Sequence, residues 1–213
     1  MSRTRIKICG LRHAEHLAVA VEAGADAVGL VFHPSSPRAI DIPAAAQLLR
    51  HMPALVTAVG LFVDADARQV EQTLAEVPLG LLQFHGDESA EYCSSFGLPY
   101  IKAIKIAVEG DDAAQRCAEA IERHPHASGF LLDSAVAGVS GGSGRRFDWQ
   151  QVPPQHWRRM ILAGGLDADN VEAAVKQLQP YAVDVSSGVE SAPGTKDPVK
   201  IRAFIDAVHR ADT

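Results

Sequence analysis

The chain has 213 residues, 47% of them hydrophobic and 22% charged, which is ample material for a packed core and excludes a disordered polymer. A formal net charge of −6 argues against a nucleic-acid binder held by phosphate neutralisation, while leaving room for a local cationic pocket for a small anion. No apolar run approaches the ~20 residues needed to span a bilayer, so no membrane segment is expected.

The first apolar run, Ile6–Cys9, begins almost at the N-terminus, so the chain opens on a strand pattern and not on a signal peptide. It ends in Lys7-Ile8-Cys9-Gly10-Leu11, which sets a thiol at a strand end just before a glycine turn. A helical pattern from Ala14 to Val21 follows, with Gly24 placed to supply a left-handed stop. Further short β-favouring runs lie at Ala27–Phe32, Val56–Val63, Leu79–Phe84, Tyr100–Ile106, Gly129–Asp133, Ile161–Ala163 and Ala182–Val185, making eight in all. Between them come helical faces: Ala67, Val70, Leu74 and Val77, then Val171, Ala174, Val175 and Leu178, then Ile201, Phe204, Ile205 and Val208. Asp197-Pro198 is a suitable start for the last of these, because proline lacks the N–H that a first turn leaves unpaired.

Strands alternating with helices indicate parallel βα units. Eight units predict a single-domain (β/α)8 barrel, the TIM-barrel class, spanning residues 1–213. The rival, a doubly wound open sheet, would carry a Gly-x-Gly-x-x-Gly turn after the first strand, and none follows Ile8. Residues 134–154 are rich in Gly, Ser and Pro, and are expected to form a long active-site loop replacing most of the helix after strand six.

In a barrel of this class the chemistry sits at the C-terminal ends of the strands. Cys9 and Asp133 end the first and sixth runs, a pairing that suggests a general base and a general acid. To act as a base the Cys9 thiol must ionise below its ordinary range; its bland alternative is a small buried hydrophobe. Cys93 and Cys117 lie in helical patterns as structural residues, and three cysteines without C-x-x-C or zinc-ligand spacing indicate a reduced, cytoplasmic protein. The turns Ala163-Gly164-Gly165-Leu166 and Ser186-Ser187-Gly188 follow strands seven and eight, where barrels of this kind often bind phosphate on backbone N–H groups. Gly142 and Ser143, within Gly141–Gly144, are placed to close over the same anion or merely to give a flexible loop. Arg38, in the proline-braced loop Ser35–Ile40, offers a planar fork for a carboxylate. Asp184 is ranked as a hydrogen-bond acceptor for substrate, and His85 as either a ligand-facing group or a satisfied rim histidine. No Asp, Glu or His cluster converges by motif, so no catalytic metal is expected.

The set Lys7–Leu11, Gly24–Gly29, Ser36-Pro37-Arg38, Gln83–Asp87, Leu132-Asp133, Gly141–Gly144 with Phe147–Trp149, Ala163–Leu166 and Val183–Glu190 resembles the phosphoribosylanthranilate isomerase family. The resemblance implies the conversion of N-(5-phosphoribosyl)anthranilate to 1-(2-carboxyphenylamino)-1-deoxyribulose 5-phosphate in tryptophan biosynthesis, an Amadori rearrangement needing no cofactor. It further implies Cys9 as base, Asp133 as acid, Arg38 on the anthranilate carboxylate, and Gly164, Gly165, Ser186, Ser187 and Gly188 around the phosphate. A phosphorylated small molecule is then the partner, and a monomer or weak homodimer the expected state. The competing readings are a metal-dependent sugar-phosphate epimerase, the related isomerase of histidine biosynthesis with an aspartate at the first strand end, and a non-catalytic binder of a phosphorylated metabolite.

Overall fold

The computed structural model describes residues 3–107, 112–135 and 159–213. Eight parallel strands close into a barrel in sequence order: β1 (Arg5–Cys9), β2 (Ala27–Val31), β3 (Thr57–Phe62), β4 (Leu81–Phe84), β5 (Tyr100–Ala107), β6 (Gly129–Ala135), β7 (Met160–Leu162) and β8 (Ala182–Val185). Each of the eight apolar runs becomes a strand. The expected helix shortening after strand six, and Gly142 and Ser143, fall at 136–158, outside the described residues.

Alternation along each strand divides the apolar residues into two cores. Ile6, Ile8, Val28, Leu30, Phe62, Phe84, Phe130, Leu132 and Val183 join the large outer cluster beneath the helices. Ile101, Ala103, Leu131, Ile161, Ala163 and Ala182 form a separate cluster that fills the barrel itself. Above it, Cys9, Val31 and Leu61 pack with Val63 at the mouth. A side chain two residues before a mouth residue therefore points into the barrel one layer lower.

Local chemistry sets the helix starts. Asp41, Asp66, Ser89, Asp112 and Asp197 cap α2 (Ile42–Leu49), α3 (Ala67–Glu76), α4 (Ala90–Ser94), α5 (Ala113–Arg123) and α7 (Pro198–Ala211), each accepting from a backbone N–H of the first turn. Helix α1 (Ala14–Ala23) stops at Gly24, whose φ of 110° is in the left-handed region, as its position suggested. Helix α6 (Val171–Leu178) begins at Val171, because Asp167 Oδ1 accepts from the N–H groups of Asp169 and Asn170 and folds the residues before it into a turn. A short hairpin, β9 (Glu190–Ala192) and β10 (Thr195–Lys196), interrupts the passage from β8 to α7 and had no counterpart in the sequence pattern. It lies against the loop after β2: a Cβ on Gly194 would sit 2.3 Å from the Pro37 carbonyl oxygen.

Candidate active site

A cavity of about 440 Å³ opens at the C-terminal mouth of the barrel. Cys9 and Asp133 both line it, with Arg38, His85 and Asp184. The two turns proposed for phosphate contribute Gly164, Gly165, Ser186 and Ser187 to the same wall. Gly164 and Gly165 have φ of 77° and 70°, a backbone that admits glycine without strain. Gly188 is not among the lining residues. Its Cα faces the neighbouring turn so closely that a Cβ there would stand 1.9 Å from the Leu166 carbonyl oxygen, so it acts as a spacer between the two turns.

Strand register explains the base end of the cavity. Lys7 lies opposite Asp184 across β1 and β8, and their side chains form a buried ion pair, Nζ to Oδ1 2.8 Å. Cys9 lies opposite Gly29 on β2, and the absent side chain there leaves space for the sulfur: a Cβ on Gly29 would be 2.8 Å from Sγ and 3.2 Å from Lys7 Cε. Burial pushes the Cys9 thiol above its ordinary range; Lys7 and Lys196 pull it down and Asp184 pushes it up. The expectation of a lowered value is thus not met, because desolvation outweighs the two ammonium groups. Burial alone lowers Lys7, but the Asp184 carboxylate and Cys9 more than offset that and raise it, so Lys7 is an ammonium ion.

At the acid end, half-buried Asp133 meets His85, Oδ2 to Nε2 3.2 Å. His85 Nδ1 in turn faces Gln83 Nε2 at 3.1 Å, while Gln83 Oε1 is buried without a partner among the described residues. With the Gln83 amide donating to Nδ1, the imidazole proton sits on Nε2 and is donated to the Asp133 carboxylate. Glu88, paired with buried Lys102 at 3.2 Å, accepts from the Asp64 and Gly86 N–H groups and braces the loop that carries His85. His85 is therefore hydrogen-bonded to Asp133, which its motif did not indicate.

Arg38 differs from the free fork the sequence suggested. Its Nε and Nη2 grip Glu190 Oε1 and Oε2 at 2.7 and 2.8 Å. Glu190 also accepts from Lys196 Nζ at 2.8 Å, and Lys196 donates to the Ser186 carbonyl, whose hydroxyl donates to the Cys9 carbonyl. Although burial pushes Glu190 up, the hydrogen bonds from Arg38 and Lys196 hold it below the ordinary carboxylate range. Burial keeps Lys196 below its usual range despite Glu190. Lys7, Gln83, Glu190 and Lys196 were not singled out by sequence. The first two stand two residues before Cys9 and His85, so the two-residue strand period could have found them.

A (β/α)8 barrel with a thiol, a carboxyl group and two glycine turns gathered at the C-terminal mouth has the architecture of a TIM-barrel enzyme, whose active site lies at that end. Residues 6–207 match the family model for N-(5'-phosphoribosyl)anthranilate (PRA) isomerase. An N-(5'-phosphoribosyl)anthranilate isomerase of Pseudomonas fluorescens is 50% identical over 212 residues, covering 100% of this chain and 99% of that protein. Another from Pseudomonas aeruginosa is 51% identical over 98% of this chain and 96% of its own length. The crystal structure of phosphoribosyl anthranilate isomerase from Thermotoga maritima superposes with a TM-score of 0.87 at 34% identity, covering 97% of this chain and 99% of that one. A further structure of the same family, TM-score 0.83 and likewise 34% identical over 97% and 99% of the two chains, was solved in complex with reduced 1-(o-carboxyphenylamino)-1-deoxyribulose 5-phosphate. The chain belongs to the N-(5'-phosphoribosyl)anthranilate isomerase family. It is an isomerase of tryptophan biosynthesis that carries out the Amadori rearrangement of N-(5-phosphoribosyl)anthranilate.

Proposed function

We propose that Cys9 is the general base and Asp133 the general acid of this isomerisation. The observation that carries the assignment is that both side chains line one cavity that the two glycine turns also line. Asp133 gives its proton to the ribose ring oxygen, and the C1–O bond breaks to leave an iminium. The thiolate of Cys9 then takes the C2 proton, forming an enolamine that tautomerises to the ketone. With His85 Nε2–H donating to Oδ2, the proton of the acid form is carried on Oδ1, from which it is given to the ring oxygen.

Phosphate is held by the backbone of Gly164 and Gly165 and by Ser186 and Ser187, with Gly142 and Ser143 assigned to its cover. Arg38 grips the anthranilate carboxylate. Glu190 occupies Nε and one N–H of Nη2, which leaves Nη1 and the remaining Nη2 hydrogen for a second carboxylate. Asp184 accepts from a substrate hydroxyl, and no metal or organic cofactor is required. Fixing both ends of the substrate supplies much of the acceleration through orientation.

Turnover is followed by loss of the fluorescence of phosphoribosylanthranilate. Cys9→Ser and Asp133→Asn are each expected to lower kcat by at least ~10²-fold with KM nearly unchanged. A variant with near-normal kcat removes that residue from its role.

A cytoplasmic location accords with three cysteines that are all unpaired and buried. Among the described residues no helix is long and apolar enough to cross a membrane, and the net charge of −6 supports a protein that does not bind nucleic acid. A monomer or weak homodimer is the state proposed: the Thermotoga maritima protein is dimeric and has been converted to monomers, while the exposed large apolar residues described here are Leu55, Tyr181 and Val199, few for an obligate interface.

A further inference from the structure

Beneath the thiol lies a pair of charges that the acid/base scheme leaves unused. Lys7 and Asp184 are 6% and 8% exposed and meet at 2.8 Å inside the barrel. A buried pair of this kind is weak evidence for stability, since desolving two ions offsets most of their attraction. Its position is more telling than its strength. Lys7 is on the same face of β1 as Cys9, one layer down; its ammonium is bonded to the carboxylate, and its Cε and the Cys9 sulfur crowd the same bare face of Gly29. Gly29 makes that closeness possible, because any Cβ there would press on Sγ and on Lys7 Cε together.

A thiolate enclosed by Val31 and Leu61 would be a nearly unsolvated anion, and such a group stays neutral unless a cation stands beside it. Three charged groups face Cys9: Lys7 from its own strand, Asp184 from β8 and Lys196 from β10, while β2 presents Gly29 and Val31, neither of them charged. Lys196 is already engaged by Glu190 and by the Ser186 carbonyl. Around the rim stand His33, Arg38, His85, Lys105 and Asp133.

We infer that Lys7 is a positioning residue whose ammonium is the counter-ion of the Cys9 thiolate, and that Asp184, by sharing that ammonium, limits how much thiolate forms before substrate enters. This rests on the reading of Cys9 as the base and deepens it. When substrate hydroxyls engage Asp184, its hold on Lys7 weakens and the ammonium turns to the sulfur. The base is then charged when there is a proton to take. A thiolate left permanently exposed to oxidants and electrophiles is avoided.

The test measures the thiol directly, so it does not depend on turnover. Full-length protein is alkylated with iodoacetamide from pH 6 to 10, and the Cys9 peptide is quantified by mass spectrometry. Lys7→Met is expected to slow alkylation of Cys9 at pH 7.5 at least ~10-fold, one pH unit of displacement. Asp184→Asn is expected to accelerate it ~3-fold or more, the opposite direction. Lys7→Arg keeps the charge and should stay within ~3-fold of the parent. The double variant Lys7→Met/Asp184→Asn removes both ions together and serves where Lys7→Met alone does not fold; it should alkylate more slowly than Asp184→Asn. The acid limb of the kcat/KM pH profile should move in step with the thiol in each folded variant. Equal alkylation profiles in Asp184→Asn and the double variant, or displacements of Lys7→Met and Asp184→Asn in the same direction, overturn the inference. Full activity in Cys9→Ser would instead remove the base assignment while leaving the thiol titration as measured, so the two failures are distinguishable.

Discussion

Gly188→Ala is a substitution of a single methyl group that should damage phosphate binding while sparing the fold. The added Cβ would lie 1.9 Å from the Leu166 carbonyl oxygen, 2.9 Å from its carbon and 3.2 Å from Asp167 Cα, and all three are backbone atoms that no rotamer can move aside. Ordinary contact begins near 3.4 Å, so the turns after β7 and β8 must separate by about 1.5 Å. A phosphate bridging them at the usual ~2.9 Å N–H to oxygen distance cannot follow both, and loses its bonds to one side. One charge-assisted hydrogen bond is worth about 1.5–3 kcal/mol, which is roughly a 10- to 150-fold loss of affinity. We expect KM for phosphoribosylanthranilate and the inhibition constant of inorganic phosphate to rise together by that factor, with kcat changed less. Gly80→Ala is the control, because its Cβ would meet only Thr57 Cγ2 at 3.6 Å, and it should leave both constants untouched. Initial rates from the fluorescence decay, phosphate titration and a thermal melt suffice. A folded Gly188→Ala protein with parental KM and phosphate inhibition would refute the claim that this glycine spaces the phosphate cradle.

Glu190→Gln leaves Lys196 and Arg38 facing a neutral amide; removing one partner from a buried pair costs about 3–5 kcal/mol, so the melting temperature should fall markedly and KM should rise as Arg38 loses its brace. Because the folded Glu190 carboxyl is held below its ordinary 4.5, its contribution to stability is complete above that pH and is lost as pH falls through the folded value; urea melts from pH 6 to 3 should show the parent losing stability more steeply than Glu190→Gln, and parallel curves would contradict the pairing. At the alkaline end, burial pushes the Cys93 and Cys117 thiols from 9.0 to about 12. These thiols stay protonated in the folded protein after the unfolded chain has begun to ionise. Their stabilisation is thus whole below pH 9 and is lost as pH rises towards 12, by about 2 kcal/mol each near pH 10.5. Replacing both by alanine should flatten the alkaline decline, measured by urea unfolding relative to neutral pH, and an unchanged slope would count against the burial argument.

The barrel was legible because a parallel strand buried on both faces is a short continuous apolar run, and each of the eight runs became a strand. The strand ends were legible for the same reason: Cys9 and Asp133 are where those runs meet polar residues, and both line the cavity. Their partners were not legible. The two-residue period places Lys7 under Cys9, but its ion pair with Asp184 spans 177 residues and depends on the β1–β8 register, which no local pattern encodes. Arg38 and Glu190 are 152 residues apart and meet only because the β9–β10 hairpin folds over the loop after β2. That hairpin consists of strands of three and two residues about Pro193-Gly194, too short to show any alternation. Gly188 was read as an anion-binding glycine because its neighbours suit that role, whereas its distinguishing property is proximity to Leu166, a contact made in space.

The same contacts bear on how a substrate with a phosphate at one end and a carboxylate at the other is received. The deep charges of the mouth are already paired, Lys7 with Asp184, and Arg38 and Lys196 with Glu190. A ligand that had to break those pairs would spend its binding energy leaving buried charges alone. Backbone N–H groups at the turns, the Ser187 hydroxyl and the outer edge of Arg38 can hold the two anionic ends without breaking the pairing of Glu190 with Arg38 and Lys196. Binding energy is then available where the reaction needs it, at the ring oxygen and C2 between those ends, beside Asp133 and Cys9. The Arg38–Glu190–Lys196 set acts as a frame whose orientation is fixed before substrate arrives, which is how electrostatic preorganisation lowers a barrier, while the Lys7–Asp184 pair is the one that substrate hydroxyls loosen. On this argument the strands could be repacked with little effect on catalysis, whereas altering Glu190 or Lys7, neither of which touches the reacting atoms, should impair it.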